Sequence, residues 1–270
     1  ITRAVWLITE HIKKSKFNPA GYEVSFGNHG DFPPISVKLH SSEDIELVGR
    51  VDRIDMMEKD GISYLRVIDY KSGVKEFNIS DLYYGLQIQL LVYLDVILDE
   101  LESKMNKAAI PGGILYFKLD DPIVNGKGNI TYNEIEKNIM KSLRMNGLLL
   151  DDADIIKDMD NEISGPSNII PASLKKDGNI SSSKSSVATM NQFSILRKYV
   201  RKLMAELCER ILEGDIEVCP YKDNVRKGCD FCLYSSICQF DTLIKGSRYN
   251  NFEKKSTVEI WKEIEQSVNN

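Results

Sequence analysis

Apolar residues recur at helical spacing in some stretches of this chain and at strand spacing in others. Ala4, Leu7, Ile8 and His11 predict a helix over residues 3–14. Strand-like runs follow at 22–26, 35–39, 45–56 and 62–71. Leu82, Leu86, Leu90, Tyr93 and Ile97 return every three or four residues and predict one helix over 81–101. Gly113 to Leu119 reads as a strand bounded before by Pro111-Gly112, and a helix is expected over 132–146. Phe193, Leu196, Val200, Leu203, Leu207 and Ile211 mark a long helix over 191–213 that stops near Gly214. Between these, 151–190 is acidic and then rich in Ser, Lys and Gly, the composition of a mobile loop. A short polar tail with one amphipathic turn around Ile260-Trp261 closes the chain. The organisation expected is an α/β core over 1–150, a loop over 151–190 and a helical C-terminal part over 191–270.

At 270 residues the chain can bury a proper core, and its 42% hydrophobic and 28% charged residues are ordinary for a globular protein. It has no apolar run of membrane-spanning length and no leader layout at its start. The first residue is Ile rather than Met, which points to a piece of something longer. A formal charge of −5 does not advertise a nucleic-acid binder, yet acidic enzymes can keep a local basic track. Arg197, Lys198, Arg201 and Lys202, on the polar side of the 191–213 helix, could track a phosphate backbone or be a solvated face. Cysteine usage says more. Of five, Cys229, Cys232 and Cys238 crowd into ten residues, a pattern that in a cytoplasmic protein points to metal rather than to disulfides.

The clearest chemistry lies in a hairpin. Gly49-Arg50-Val51-Asp52-Arg53-Ile54-Asp55 leads to Lys59-Asp60-Gly61, and the return run ends in Ile68-Asp69-Tyr70-Lys71. Asp-Gly favours a two-residue type I′ turn. With Asp60 and Gly61 as the turn, Asp52 falls opposite Asp69, and Lys71 projects from Asp69's face. Two carboxylates so placed repel unless a cation sits between them, and hard oxygen ligands suit Mg²⁺ or Mn²⁺. Such an ion neutralises charge on a phosphodiester, and a lysine beside it can stabilise developing negative charge. The same residues also fit a solvated, ion-paired face. Leu65 and Val67, on Asp69's side, favour half-buried acids beside a core. Gln89 and Tyr93, at i and i+4, share one helix face and could orient water or contact a phosphate; a core tyrosine with a surface glutamine is the plainer reading.

Taken together, the Gly-Arg-Val-Asp52 run, Asp69-Tyr-Lys71 and Gln89-Leu-Leu-Val-Tyr93 resemble the GxxD, (D/E)xK and QxxxY motifs of the RecB branch of the PD-(D/E)XK nucleases, in that order and spacing. The resemblance implies a restriction-endonuclease-like mixed sheet flanked by helices, followed by a helical cysteine segment. It also implies a divalent metal on Asp52 and Asp69, catalytic Lys71, and supporting roles for Gln89 and Tyr93. Glu23 sits where relatives carry a strand glutamate and is not counted as a metal ligand. The Cys229-x2-Cys232-x5-Cys238 spacing is similar to the C-terminal triplet that holds an iron–sulfur cluster in AddB-type helicase–nucleases. There a fourth cysteine comes from upstream, and zinc is the rival ligand.

The chain departs from that pattern in two ways. No cysteine precedes Cys208, and none of His11, His29 and His40 matches the context of the histidine that relatives bring to the metal site. The expected cluster is therefore incomplete or absent in this chain, with Cys219 a possible stand-in, although the three thiols should still lie close together. What the resemblance implies is a Mg²⁺-dependent, cytoplasmic deoxyribonuclease that cuts single strands of unwound DNA. It would partner an AddA-type helicase–nuclease subunit in double-strand break resection and recombinational repair. No phosphate-binding G-x-x-x-x-G-K-[ST] loop occurs, so the motor lies elsewhere. Two other readings stand beside it. A CRISPR-associated RecB-like exonuclease shares the cysteine spacing, but the long 120–190 region argues against it. A non-catalytic DNA-binding or scaffold module would be expected to have lost Asp52, Asp69 or Lys71.

Overall fold

A computed structural model describes residues 2–39, 44–73, 76–104, 108–123 and 131–269; His40 lies outside them. The chain opens with helix α1 (Thr2–Lys13) and strand β1 (Asn18–Phe26). A small antiparallel pair, β2 (Ile35–Lys38) and β3 (Asp44–Leu47), leads into the long hairpin of β4 (Gly49–Lys59) and β5 (Ile62–Lys71). Then come α2 (Ile79–Tyr83), α3 (Gln89–Lys104), β6 (Ala109–Lys118), α4 (Tyr132–Ser142), β7 (Asn146–Leu150), α5 (Ala153–Met159) and β8 (Val187–Ala188). Helix α6 (Met190–Leu212) follows. The rest comprises β9 (Tyr221–Lys222), α7 (Ser235–Cys238), β10 (Asn250–Asn251) and α8 (Thr257–Asn269).

Six strands make one mixed sheet in the order β1-β4-β5-β6-β7-β8. The β1–β4, β4–β5 and β6–β7 pairs are antiparallel, while β5–β6 and β7–β8 are parallel. The parallel β5–β6 step needs a crossover, and α2 with α3 supplies it. This is the mixed sheet flanked by helices that the resemblance implied. One hydrophobic cluster runs from Leu7 in α1 through Leu65, Val67, Leu115 and Phe117 in the sheet to Leu196 and Val200 in α6 and Ile264 in α8. The C-terminal helices thus belong to the same core as the hairpin.

Several elements differ from expectation, each for a physical reason. The single helix expected over 81–101 is broken. Gly85 takes φ +80°, and the buried Gln87 side chain reaches back to the Glu76 carbonyl and the Asp81 carboxylate. Gln89 therefore opens a new helix instead of lying within one. Pro111-Gly112 does not precede β6 but lies inside it, at a bulge where Leu65 faces Pro111 and Arg66 faces Gly113. The helix expected to run to residue 146 ends at Ser142, and Asn146–Leu150 forms β7. The tail is not one turn but the 13-residue α8.

The 151–190 segment, expected to be a mobile loop, is built into the core. Asp152 caps α5, and Ile155, Ile156, Met159, Ile169, Ile170 and Ala172 are buried. Asp158 ties α5 to the start of β1 and the end of β4 through Lys16 and Lys59, each at 2.7 Å.

The basic face of α6 is also engaged within the molecule. Arg197 and Arg201 both pair with Asp95 and Asp99 of α3 at 2.5–2.7 Å, and Lys202 donates to the Ser267 carbonyl at 2.6 Å. Three of the four groups considered for phosphate tracking are thus used to hold α6 against α3 and α8; Lys198 is exposed. Asp95 is buried and shared by both guanidinium groups, so Asp95→Ala is expected to cost about 2 kcal/mol through lost charged hydrogen bonds. A urea midpoint unchanged from the parent chain would show the lattice to be energetically neutral.

Candidate active site

The hairpin turn is as its sequence requires. Asp60 at φ +53° and Gly61 at φ +77° are both left-handed, as a type I′ turn demands. From it the ladder runs in the expected register, from Lys59 opposite Ile62 to Arg53 opposite Ile68. There it stops. The direct pairing of Asp52 with Asp69 is not made, because the Asp52 carboxylate takes the place of a main-chain acceptor: its Oδ2 accepts the Tyr70 N–H at 2.8 Å. On the other edge of β4, Tyr22 faces Arg53 and Val24 faces Val51, with Glu23 held between them at φ +51°. Asp52 therefore sits where the β4–β5 ladder ends, while the β1–β4 register runs on past it. Exposed Glu23 is paired with Arg50 at 2.8 Å.

Asp69 is 2% exposed, and Lys71 places Nζ 2.6 Å from its Oδ2, so these two share a face as expected. Tyr116 lies beside Asp69 on β6, and its hydroxyl is pushed up to about 12 by burial and by the nearby charges of Asp69 and Asp81. The Tyr70 N–H joins the two parts of the site, holding Asp52 one residue beyond Asp69 and one before Lys71. Gln89 and Tyr93 meet as their spacing predicts, Gln89 Nε2 donating to the Tyr93 hydroxyl at 2.8 Å. That pair borders an open, apolar cavity of about 330 Å³ lined by Phe26, Leu47, Val48 and Leu207.

The opposite face of the hairpin holds what the sequence reading missed. Arg53, Asp55 and Arg66 are all within 1% of complete burial. Arg53 grips Asp55 with Nε at 2.6 Å and Nη2 at 2.9 Å, and Arg66 donates Nε to the same carboxylate at 2.8 Å. Arg53 also reaches the Tyr70 hydroxyl at 3.5 Å, and Arg66 lies over the Phe17 ring. Charged residues at every second position of an otherwise apolar strand were the available signal.

His11 belongs to this back face. Its ring packs on Phe117, which pairs with Tyr70, whereas Asp69 pairs with Tyr116; the pleat places them on opposite sides of the sheet. It is no part of the Asp52–Asp69 site. Burial, with help from Arg66, Arg53 and Lys14, lowers its pKa to about 3. The unfolded chain therefore binds a proton that the folded chain refuses between pH 6.5 and 3, and stability falls as pH falls through that window. The slope from His11 alone is about 1.4 kcal/mol per pH unit at mid-window. A His11→Phe variant should show a flatter thermal midpoint between about pH 6 and 4, and an unchanged slope would refute the burial account.

The cysteines do not come together as expected. Among the described residues no three Cys, His, Asp or Glu side chains lie where they could share a metal ion. Cys232 and Cys238 are exposed, Cys229 and Cys219 partly so, and Cys208 is buried in α6. Their neighbours Phe231, Leu233 and Ile237 are more than four-fifths exposed, so no apolar packing gathers this segment. A small metal-organised segment takes its folding energy from the metal.

The Asp52, Asp69-x-Lys71 and Gln89–Tyr93 residues all lie within the stretch that a family model matches. The model of the PD-(D/E)XK nuclease superfamily matches residues 1–239, and the chain belongs to that superfamily. Over 268 residues it is 56% identical to an AddB-type ATP-dependent helicase/deoxyribonuclease subunit of Clostridium kluyveri and 54% identical to that of Clostridium botulinum. The corresponding subunit from Acetivibrio thermocellus is 50% identical over 261 residues. Each match covers at least 97% of this chain but 23% of the relative, so the chain spans about a quarter of their length.

Proposed function

We propose that this chain hydrolyses DNA phosphodiesters as the nuclease part of a helicase–nuclease subunit, with Asp52 and Asp69 holding Mg²⁺ or Mn²⁺ and Lys71 acting beside them. The observation that carries this is the Tyr70 amide, which brings the Asp52 carboxylate to within one residue of the buried Asp69–Lys71 pair. The donors fit such an ion. They are hard carboxylate oxygens, and Mg²⁺ commonly binds through one or two carboxylates with waters and substrate phosphate completing its shell. When bound, the ion neutralises phosphate charge and makes a coordinated water more acidic. The residues do the rest. Asp69, desolvated, holds Lys71 Nζ in place, and that ammonium can face the charge that builds on the phosphate oxygens. Gln89 and Tyr93, fixed on one another, are proposed as supporting residues that orient water or contact the DNA.

By analogy with its relatives, the substrate is single-stranded DNA released by a motor, the partner is an AddA-type subunit in the cytoplasm, and the process is break resection and recombinational repair. Cleavage of labelled single-stranded DNA by this chain with Mg²⁺, lost on chelation, is the test. A second reading has one observation in its favour: among the described residues no three His, Cys, Asp or Glu side chains gather where they could share a metal ion, and His11 lies behind the sheet. DNA binding without cleavage in either Mg²⁺ or Mn²⁺ would favour that reading, a non-catalytic module.

Cys229, Cys232 and Cys238 are proposed as iron–sulfur ligands in the longer protein. With no fourth thiol beside them among the described residues, the 270-residue chain should purify with little iron or acid-labile sulfide. About four irons per chain would show that another ligand completes the set.

A further inference from the structure

The front of the hairpin carries the carboxylates, but the place where β4 departs from β5 is determined from behind. The last regular pair is Arg53 with Ile68, immediately before the residues at issue, Asp52 and Asp69. Arg53 is fully buried and held twice by Asp55, and Asp55 also holds Arg66 on the facing strand. A carboxylate shared in this way braces β4 to β5 from the side chains, in addition to the ladder. Arg53 then extends to the hydroxyl of Tyr70, whose own N–H holds Asp52. A continuous path therefore runs from Asp55 through Arg53 and Tyr70 to the Asp52 carboxylate.

We propose that the Arg53–Asp55–Arg66 network is a positioning device for Asp52, making these three residues part of the metal site's support although none of them faces it. The proposal rests on the reading of Asp52 and Asp69 as the metal-holding pair. Where a ladder ends on one edge of a strand, a carboxylate there has no regular partner across that edge, and metal affinity depends on having both carboxylates within reach at once. The regular β4–β5 pairing ends at Arg53 while β4 stays paired to β1, so toward β5 Asp52 is held by the Tyr70 N–H, and the side-chain brace fixes Arg53 and Tyr70 on either side of that contact.

A structural role alone would make the network a matter of stability, and one variant separates the two. In the triple variant Arg53→Met, Asp55→Leu, Arg66→Met, buried charges give way to apolar groups of similar volume, a change that can leave a fold as stable or more so. Mn²⁺ affinity is measured by calorimetry on the chain without DNA, alongside the thermal midpoint. The expected result is a folded protein that binds Mn²⁺ about tenfold more weakly. Arg53→Lys is the companion, since it keeps a positive charge next to Asp55 but loses the two-pronged grip. It should fold and weaken Mn²⁺ binding several-fold, with a smaller effect than the triple variant. Parent-like affinity in either folded variant overturns the positioning role. If the parent binds no Mn²⁺, or binds it equally after Asp69→Asn, the metal site itself is wrong and this proposal falls with it.

Discussion

Asp69→Asn and Lys71→Ala are each expected to lower metal-dependent cleavage of single-stranded DNA by about a thousandfold, the scale seen when one preorganised electrostatic group is removed from an active site. Asp69 is the more telling of the two. Its carboxylate is desolvated and paired with Lys71, so an amide in its place keeps the shape and removes the charge that attracts a cation. Lys71 is 30% exposed and can turn to water once Asp69 is neutral, which keeps the fold. Initial rates at saturating Mg²⁺, with thermal midpoints for each variant, are the measurement. Rates within about tenfold of the parent would end the assignment of this pair.

The largest loss of stability is expected from Asp55→Ala. That change leaves two guanidinium groups buried with no counter-charge, and breaking a buried pair in this way costs about 3–5 kcal/mol. For a domain with the ordinary margin of about 5–15 kcal/mol, much of the folded population is at stake. Chemical denaturation of the purified variant should show the midpoint falling sharply. A shift under about 1 kcal/mol would mean that water reaches the two arginines.

The front of this site was legible because its chemistry is local. Asp-Gly sets the turn, the turn sets the register, and the register brings Asp52 and Asp69-x-Lys71 to neighbouring strands. What could not be read is that Asp52 would leave the ladder to bind the Tyr70 amide, since that choice depends on where the β4–β5 pairing ends. The back of the site was hidden for another reason. Arg53, Asp55 and Arg66 look like a solvated face until α1 and Phe17 cover them, and burial of charge is decided by the tertiary structure. Likewise the Ser- and Lys-rich composition of 151–190 outweighed Ile155, Ile156 and Met159, which are the residues that dock it. At 84–88 the apolar period continues across Gly85, and only the Gln87 hydrogen bonds show why the helix restarts.

The buried brace also bears on how the hairpin finds its pairing during synthesis. A slip of one residue between β4 and β5 would turn every side chain of one strand to the other face. Arg66 would then lie on the side of Tyr116 and the apolar cluster, while Asp55 remained behind the sheet, and each would be left as a lone charge away from water. Slipped hairpins of most sequences lose only packing. Here a slipped chain would also strand opposite charges on opposite sides of the sheet, so the brace penalises the wrong register beyond its lost packing.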